Sequence, residues 1–247
     1  QKILDLKLLY VELDSFVYYD ASKVSNVDAL KTRIIEGLTT YAKSTDVNKF
    51  GGRLKYSKLL KVIDNTDDAI TSNITKIIIR RDLNPAMNLF AQYELCFGNK
   101  FHVNSSGYNI KSTGFKISGE TDTVYLTDVP NADLKTGIIS IVKPIDDDTT
   151  RVVVKSAGTV DYEKGEIVLT TINITSSSLS NGLIEIQAFP ESNDVIGLRD
   201  LYLNFNISKS TINMVRDVIA SGDEISGTLF ARDFYTSSYS NGNLIRK

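Results

Sequence analysis

The stretch Ile3-Leu4-Asp5-Leu6-Lys7-Leu8-Leu9-Tyr10-Val11-Glu12-Leu13-Asp14-Ser15-Phe16-Val17-Tyr18-Tyr19 decides how the chain is read. Leu6, Leu8 and Tyr10 alternate with Leu9, Val11, Leu13, Val17 and Tyr19, so a strand from Ile3 to Tyr19 is apolar on both sides. Strands of that kind are central in their sheet and need cover on each face. Downstream, Val27, Leu30, Ile34, Leu38 and Tyr41 recur at helical intervals and predict a helix from about Asn26 to Lys43. Ser25 or Asn26 is placed to cap it, and Asp28 suits the positive end of its dipole. Gly51-Gly52 then breaks the chain and opens a second helix carrying Leu54, Tyr56, Leu59, Leu60, Val62 and Ile63. The turn cluster Asp64-Asn65-Thr66-Asp67-Asp68 ends that helix. A strand finishing at Ile77-Ile78-Ile79-Arg80-Arg81 closes a strand–helix–helix–strand unit.

At Asn84-Pro85 the pattern changes to period two. Leu89, Ala91, Tyr93, Leu95 and Phe97 share one face, and strands are predicted around Val124–Leu126, Ile138–Val142, Val152–Val154, Ile167–Ile174, Leu183–Phe189 and Leu201–Ile207. Glycine, proline, asparagine and aspartate clusters separate them. The sharpest local signal is Asp161-Tyr162-Glu163-Lys164-Gly165-Glu166, a hairpin in which Gly165 supplies the positive φ of a bulged turn. The expected fold class is α+β: a small α/β unit over 1–84, a larger mostly antiparallel β domain over 85–220, and an extended C-terminal segment over 221–247. That last segment is polar but carries Phe230, Phe234, Tyr235 and Tyr239. Either it orders against a partner, making those aromatics candidate interface residues, or it is an edge strand with a frayed terminus.

The bulk chemistry removes several function classes. An apolar share of 42% is ample for a core. With 28 basic and 30 acidic residues and a net charge of −2, the chain offers no electrostatic reason to expect nucleic acid or a membrane surface as partner. It has no bilayer-length apolar run and no visible signal peptide. A chain starting at Gln1, with a strand almost at once, is expected to be a piece of a longer protein. One cysteine, Cys96, and one histidine, His102, exclude an internal disulfide framework and a Cys/His zinc finger.

The remaining candidate sites are each read as structural. Cys96 and His102 are six apart in sequence, which in a strand is about 20 Å, too far for a catalytic dyad. Asp146-Asp147-Asp148 lacks the ligand spacing of a calcium loop and reads as an acidic turn. Gly51-Gly52-Arg53 lacks the lysine and hydroxyl residue of a phosphate loop and reads as a hinge before a helix. Arg80-Arg81-Asp82 reads as a solvated strand end. The sequons at Asn73, Asn104, Asn173 and Asn206 read as coincidences of an Asn/Ser/Thr-rich chain. No catalytic, cofactor-binding or metal-binding residue is expected, and no small-molecule substrate.

Three segments carry a family likeness. Phe50-Gly51-Gly52-Arg53-Leu54-Lys55-Tyr56-Ser57-Lys58-Leu59-Leu60-Lys61-Val62-Ile63-Asp64 comes after a strand and a helix and before a strand. Asp161-Tyr162-Glu163-Lys164-Gly165-Glu166-Ile167-Val168-Leu169 forms the hairpin, and Asn193-Asp194-Val195-Ile196-Gly197-Leu198-Arg199-Asp200-Leu201-Tyr202-Leu203 follows later. In that order they resemble the baseplate J-like proteins of contractile-tailed phages, and the chain looks like the C-terminal part of a baseplate wedge subunit of the T4-like kind. The resemblance implies a structural virion protein of the tail baseplate, assembled in the host cytoplasm and carrying no cofactor. It implies a homodimer or higher homo-oligomer that contacts other wedge proteins, joins wedges into a ring around the hub and rearranges on sheath contraction. The alternative is a carbohydrate- or cell-surface-binding β module of a tail fibre or adhesin, with a hydrolase third.

Overall fold

The computed structural model describes residues 7–146 and 149–221, together with the backbone of 239–240 and 243–244. Its first strand, β1 (Leu8–Tyr19), buries Leu9, Val11, Leu13 and Val17, the odd-numbered side chains that share one face. Helix α1 (Val27–Ala42) lays Leu30, Ile34, Leu38 and Ala42 on that side at four-residue intervals. The Asn26 side chain caps α1 by accepting a hydrogen bond from the Ala29 amide at 3.0 Å. A short strand, β2 (Arg53–Leu54), precedes helix α2 (Tyr56–Asp64), which buries Leu59 and Ile63. Strand β3 (Ile70–Leu83) then runs antiparallel to β1, with Val11 opposite Ile79 and Leu13 opposite Ile77. Full burial of a leucine or isoleucine side chain is worth about 1.5–3 kcal/mol, so this helix–sheet interface is a principal source of stability.

The expected second helix is shorter than its sequence pattern. Arg53 and Leu54 belong to β2, because their backbone pairs with Ile196 and Val195 of β12 (Val195–Ile196). The preceding glycines are not a hinge. A Cβ on Gly52 would sit 2.0 Å from the Val47 carbonyl oxygen, and the Gly52 oxygen accepts from the Gly197 amide at 2.7 Å. Gly52 is the close-approach residue of this crossing, and Gly51, at φ 62°, makes the turn into it.

Beyond β3 come β4 (Phe90–Cys96), β5 (Lys111–Ser112), β6 (Phe115–Ile117), β7 (Tyr125–Pro130), β8 (Thr136–Pro144), β9 (Thr150–Asp161) and β10 (Glu166–Ser177). An antiparallel sheet runs in the order β4-β10-β9-β8-β7, with β6 also on β10. The β9–β10 hairpin turns as its sequence dictates: Gly165 has φ 68°, its amide donates to the Asp161 oxygen at 2.9 Å, and a Cβ there would strike the Asn99 oxygen at 2.0 Å. Tyr162 is driven inward, where its hydroxyl donates to Asp128 Oδ2 at 2.7 Å. The other oxygen of Asp128 accepts from the Ile110 amide at 2.7 Å, so the buried carboxylate is held on both sides. Burial and the neighbouring Asp128 charge push the Tyr162 phenol far above the usual tyrosine range.

The chain then returns to the first sheet. Strand β11 (Ile184–Ala188) pairs with β3, while β13 (Tyr202–Phe205) and β14 (Thr211–Arg216) lie parallel to β1. A 3-10 turn at Ile207–Lys209 separates β13 from β14, and the Asn206 side chain accepts from the Lys209 amide to cap it. The resulting sheet, in the order β13-β1-β3-β11-β5 with β14 also on β1, draws strands from both sides of residue 84. A continuous apolar core runs from α1 and β1 through Phe97 and Phe101 to Tyr162 and Ile167. The described fold is β-rich, with two α-helices on one sheet.

Candidate interaction surfaces

Of the aromatic residues expected at an interface, Phe230, Phe234 and Tyr235 lie outside the described residues. Tyr239 is described only in its backbone, which pairs with Leu244 in a short ladder between β15 (Tyr239–Ser240) and β16 (Asn243–Leu244).

The single thiol is not poised for nucleophilic chemistry. Burial and the nearby Glu166 carboxylate, 3.9 Å away, push the Cys96 thiol up from its ordinary value, which opposes thiolate formation. The His102 backbone is engaged with Phe189, whose oxygen accepts from its amide at 2.9 Å. Asp146 accepts from the Thr149 amide at 2.7 Å, a local turn, while Asp147 and Asp148 lie outside the described residues. Among the described residues no group of three or more His, Cys, Asp or Glu side chains converges as a metal site. Nor is any described helix long and apolar enough to cross a membrane.

The even-numbered side chains of β1 face away from the helices and divide that face into two zones. One zone is ionic. Arg80, 3% exposed, donates from Nε to Glu12 at 2.7 Å and from Nη1 to Asp82 at 2.7 Å, and pairs with Glu185 at 2.5 Å. Lys209 adds a second cation on Glu185, and the Arg80 guanidinium lies 4.2 Å from the centroid of the Tyr10 ring. Arg80 is thus no solvated strand end. Antiparallel register sets Arg80 opposite Tyr10 and Gln187, and Asp82 opposite Glu185, on one face of the sheet. Burial raises the Glu12 and Asp82 carboxyls above their ordinary values, against the opposing pull of Arg80. The expectation that β1 is apolar on both faces fails here, because Glu12 joins this network.

The other zone is apolar and open. Phe16 and Ile74 are directly opposed across β1 and β3, and they are 38% and 56% exposed. Asp14 and Lys76 form the next pair along, and Tyr18 and Val215 are opposed on the far side. No described element covers Phe16 and Ile74.

A third feature joins two segments distant in sequence. The Tyr56 amide, in the first turn of α2, donates to Asp194 Oδ1 at 2.8 Å. The Leu203 amide donates to the Lys49 oxygen, Asn48 Oδ1 accepts from the Phe205 amide, and the Tyr202 hydroxyl donates to the Asn48 oxygen. Phe50 meets Tyr202 edge-on at 5.4 Å between ring centroids. Residues 48–56 and 194–205 therefore form one clamp. Sequence reading recognised both stretches but had no signal that they touch.

Residues 7–82, which span β1, α1, β2, α2 and β3 almost end to end, match the family model described as baseplate structural protein gp6, C-terminal domain III. No curated protein matches the chain. The family match carries the baseplate part of the resemblance seen in the sequence; it does not extend to the baseplate J-like family as such. What the match supports is a structural protein of a viral tail baseplate.

Proposed function

We propose that this chain is a structural, non-catalytic subunit of a contractile phage tail baseplate, acting through contacts with other subunits. The observation that carries the reading is the coincidence of the matched residues, 7–82, with an intact strand–helix–helix–strand unit. In this role it forms a homodimer or higher oligomer and binds other wedge proteins. It helps join wedges into a ring around the hub and rearranges with sheath contraction, in a virion assembled in the host cytoplasm.

The open zone at Phe16 and Ile74 supports a contact with a second copy of this chain. The apolar pair is followed by Asp14 and Lys76, one charge of each sign, so a two-fold axis near the pair brings each carboxylate towards the other copy's ammonium. Reconstitution with the other baseplate proteins of the same virus, followed by gradient sedimentation, tests the reading. The chain is expected to travel with the assembled wedges. Recovery only as free monomer at high concentration, with no wedge association, would sink it.

A further inference from the structure

The loop before β2 and the first turn of α2 enclose a cleft of about 260 Å³ whose charge departs from that of the chain as a whole. Four cations line it, Lys49, Arg53, Lys55 and Lys58, with a single carboxylate, Asp46. The chain carries a formal net charge of −2, so this is a local excess of positive charge on an otherwise balanced protein. Lys58 reaches Asp46 at 3.5 Å, and both side chains are more than half exposed. Among the described residues, no carboxylate oxygen lies within 4 Å of the side-chain nitrogens of Lys49, Arg53 or Lys55, while the Asp194 carboxylate sits at the Lys55–Tyr56 peptide.

The walls of the cleft are fixed. The Tyr41 hydroxyl accepts from the Lys55 amide at 3.2 Å, and the 48–56 backbone is held by the 194–205 clamp. The helix terminus itself is already occupied, since Asp194 caps Tyr56. An incoming anion therefore meets side-chain cations. Asp46 and Asp194 offset only part of the four cationic charges, and an anionic occupant relieves the repulsion that remains. Ile196, directly opposite Arg53 in the β2–β12 pair and 48% exposed, places an apolar surface beside the charges.

We infer that this cleft docks an acidic segment of another polypeptide, one with two or three carboxylates beside an aliphatic residue that rests on Ile196. The inference builds on the proposed assembly role, to which it adds a partner chemistry. A nucleic acid is the poorer fit for a chain of net charge −2, since the polyanion would be repelled by the rest of the surface charge.

The test uses the chain with a fluorescent octapeptide alternating glutamate and leucine, read by anisotropy at low salt. Controls are the glutamine version of the peptide and a single-stranded oligonucleotide of equal charge. Binding of the acidic peptide is expected to weaken about tenfold or more in the double variant Arg53→Glu, Lys55→Glu, and to fall with added salt. A single Lys49→Glu variant provides a milder version, and thermal melting confirms that each variant is folded. Absent peptide binding, equal binding by the double variant, or tighter binding of the oligonucleotide overturns the inference. The same variant in the wedge reconstitution separates the two levels. If wild type fails to join wedges, the baseplate reading falls; if wild type and variant join equally well, only the acidic-segment inference falls.

Discussion

Asp194 caps the helix that begins at Tyr56: its carboxylate accepts the Tyr56 amide hydrogen bond at 2.8 Å from 138 residues away in sequence. Lys55, at the cap position itself, offers no side-chain acceptor. The late segment therefore supplies what the local sequence lacks. Asp194→Ala is expected to cost about 1 kcal/mol, as loss of a helix cap does, and Asp194→Asn to keep most of it. Urea denaturation of the two variants measures the difference; equal losses would show that the carboxylate is not acting as the cap.

Removing Arg80 leaves Glu12, Asp82 and Glu185 with Lys209 as the remaining cation. Breaking a buried ionic network from one side costs about 3–5 kcal/mol, so Arg80→Met is expected to be among the most damaging single changes on this face. The comparison is with Ile74→Asp, on the exposed end of the same sheet, which should change stability by less than about 1 kcal/mol while weakening self-association. Chemical denaturation and light scattering on the two proteins separate these effects.

The Glu12 carboxyl gives a pH signature of known sign. Its folded-state pKa lies above the ordinary 4.5 because burial disfavours the charge. The folded protein therefore holds this proton more tightly than the unfolded chain, and the contribution is fully present below about pH 4.5 and lost as pH rises through the folded value. Relative to Glu12→Gln, the wild type should gain stability as pH falls from 7 towards 4.5. Melting temperatures of both proteins across that range test it; a parallel course would remove Glu12 as the titrating group.

In the second sheet the Tyr162–Asp128 hydrogen bond holds the turn of the β9–β10 hairpin. Tyr162→Phe keeps the ring but leaves Asp128 Oδ2 buried without its donor, an expected loss of about 1–3 kcal/mol. The hairpin's amides should exchange faster in the variant, read by hydrogen exchange, while those of α1 should not.

The two glycines ahead of β2 should behave differently. Gly51 has φ 62° with open space around it, so alanine there meets only backbone strain, about 1 kcal/mol. Gly52→Ala drives a methyl into the Val47 carbonyl and should cost about 3 kcal/mol. Comparable losses in denaturation experiments would return the pair to a hinge.

Some of this was legible in the residues themselves. The spacing of Leu30, Ile34 and Leu38, a cap at Ser25 or Asn26 and the Gly165 turn each depend on neighbours within a few positions, and local pattern specifies them; the structure chose Asn26. The clefts and faces were not legible in that way. Nothing in the sequence set Lys49, Arg53, Lys55 and Lys58 apart as a group, and only the folded loop gathers them around Tyr41. Arg80 looked like a strand end because, besides the nearby Asp82, its carboxylate partners lie 68 positions before it, at Glu12, and far beyond it, at Glu185.

The sequence alone determined that a long apolar strand comes first, that two helices follow it, and that a strand returns after them. Only the tertiary structure decided what lies beside β1 and what its even-numbered face does. Parallel pairing to Tyr202–Phe205 and Thr211–Arg216 brings together residues nearly two hundred positions apart. Periodicity records which side of a strand is apolar, but it holds no information about which distant strand supplies the hydrogen bonds, the charges or the open edge.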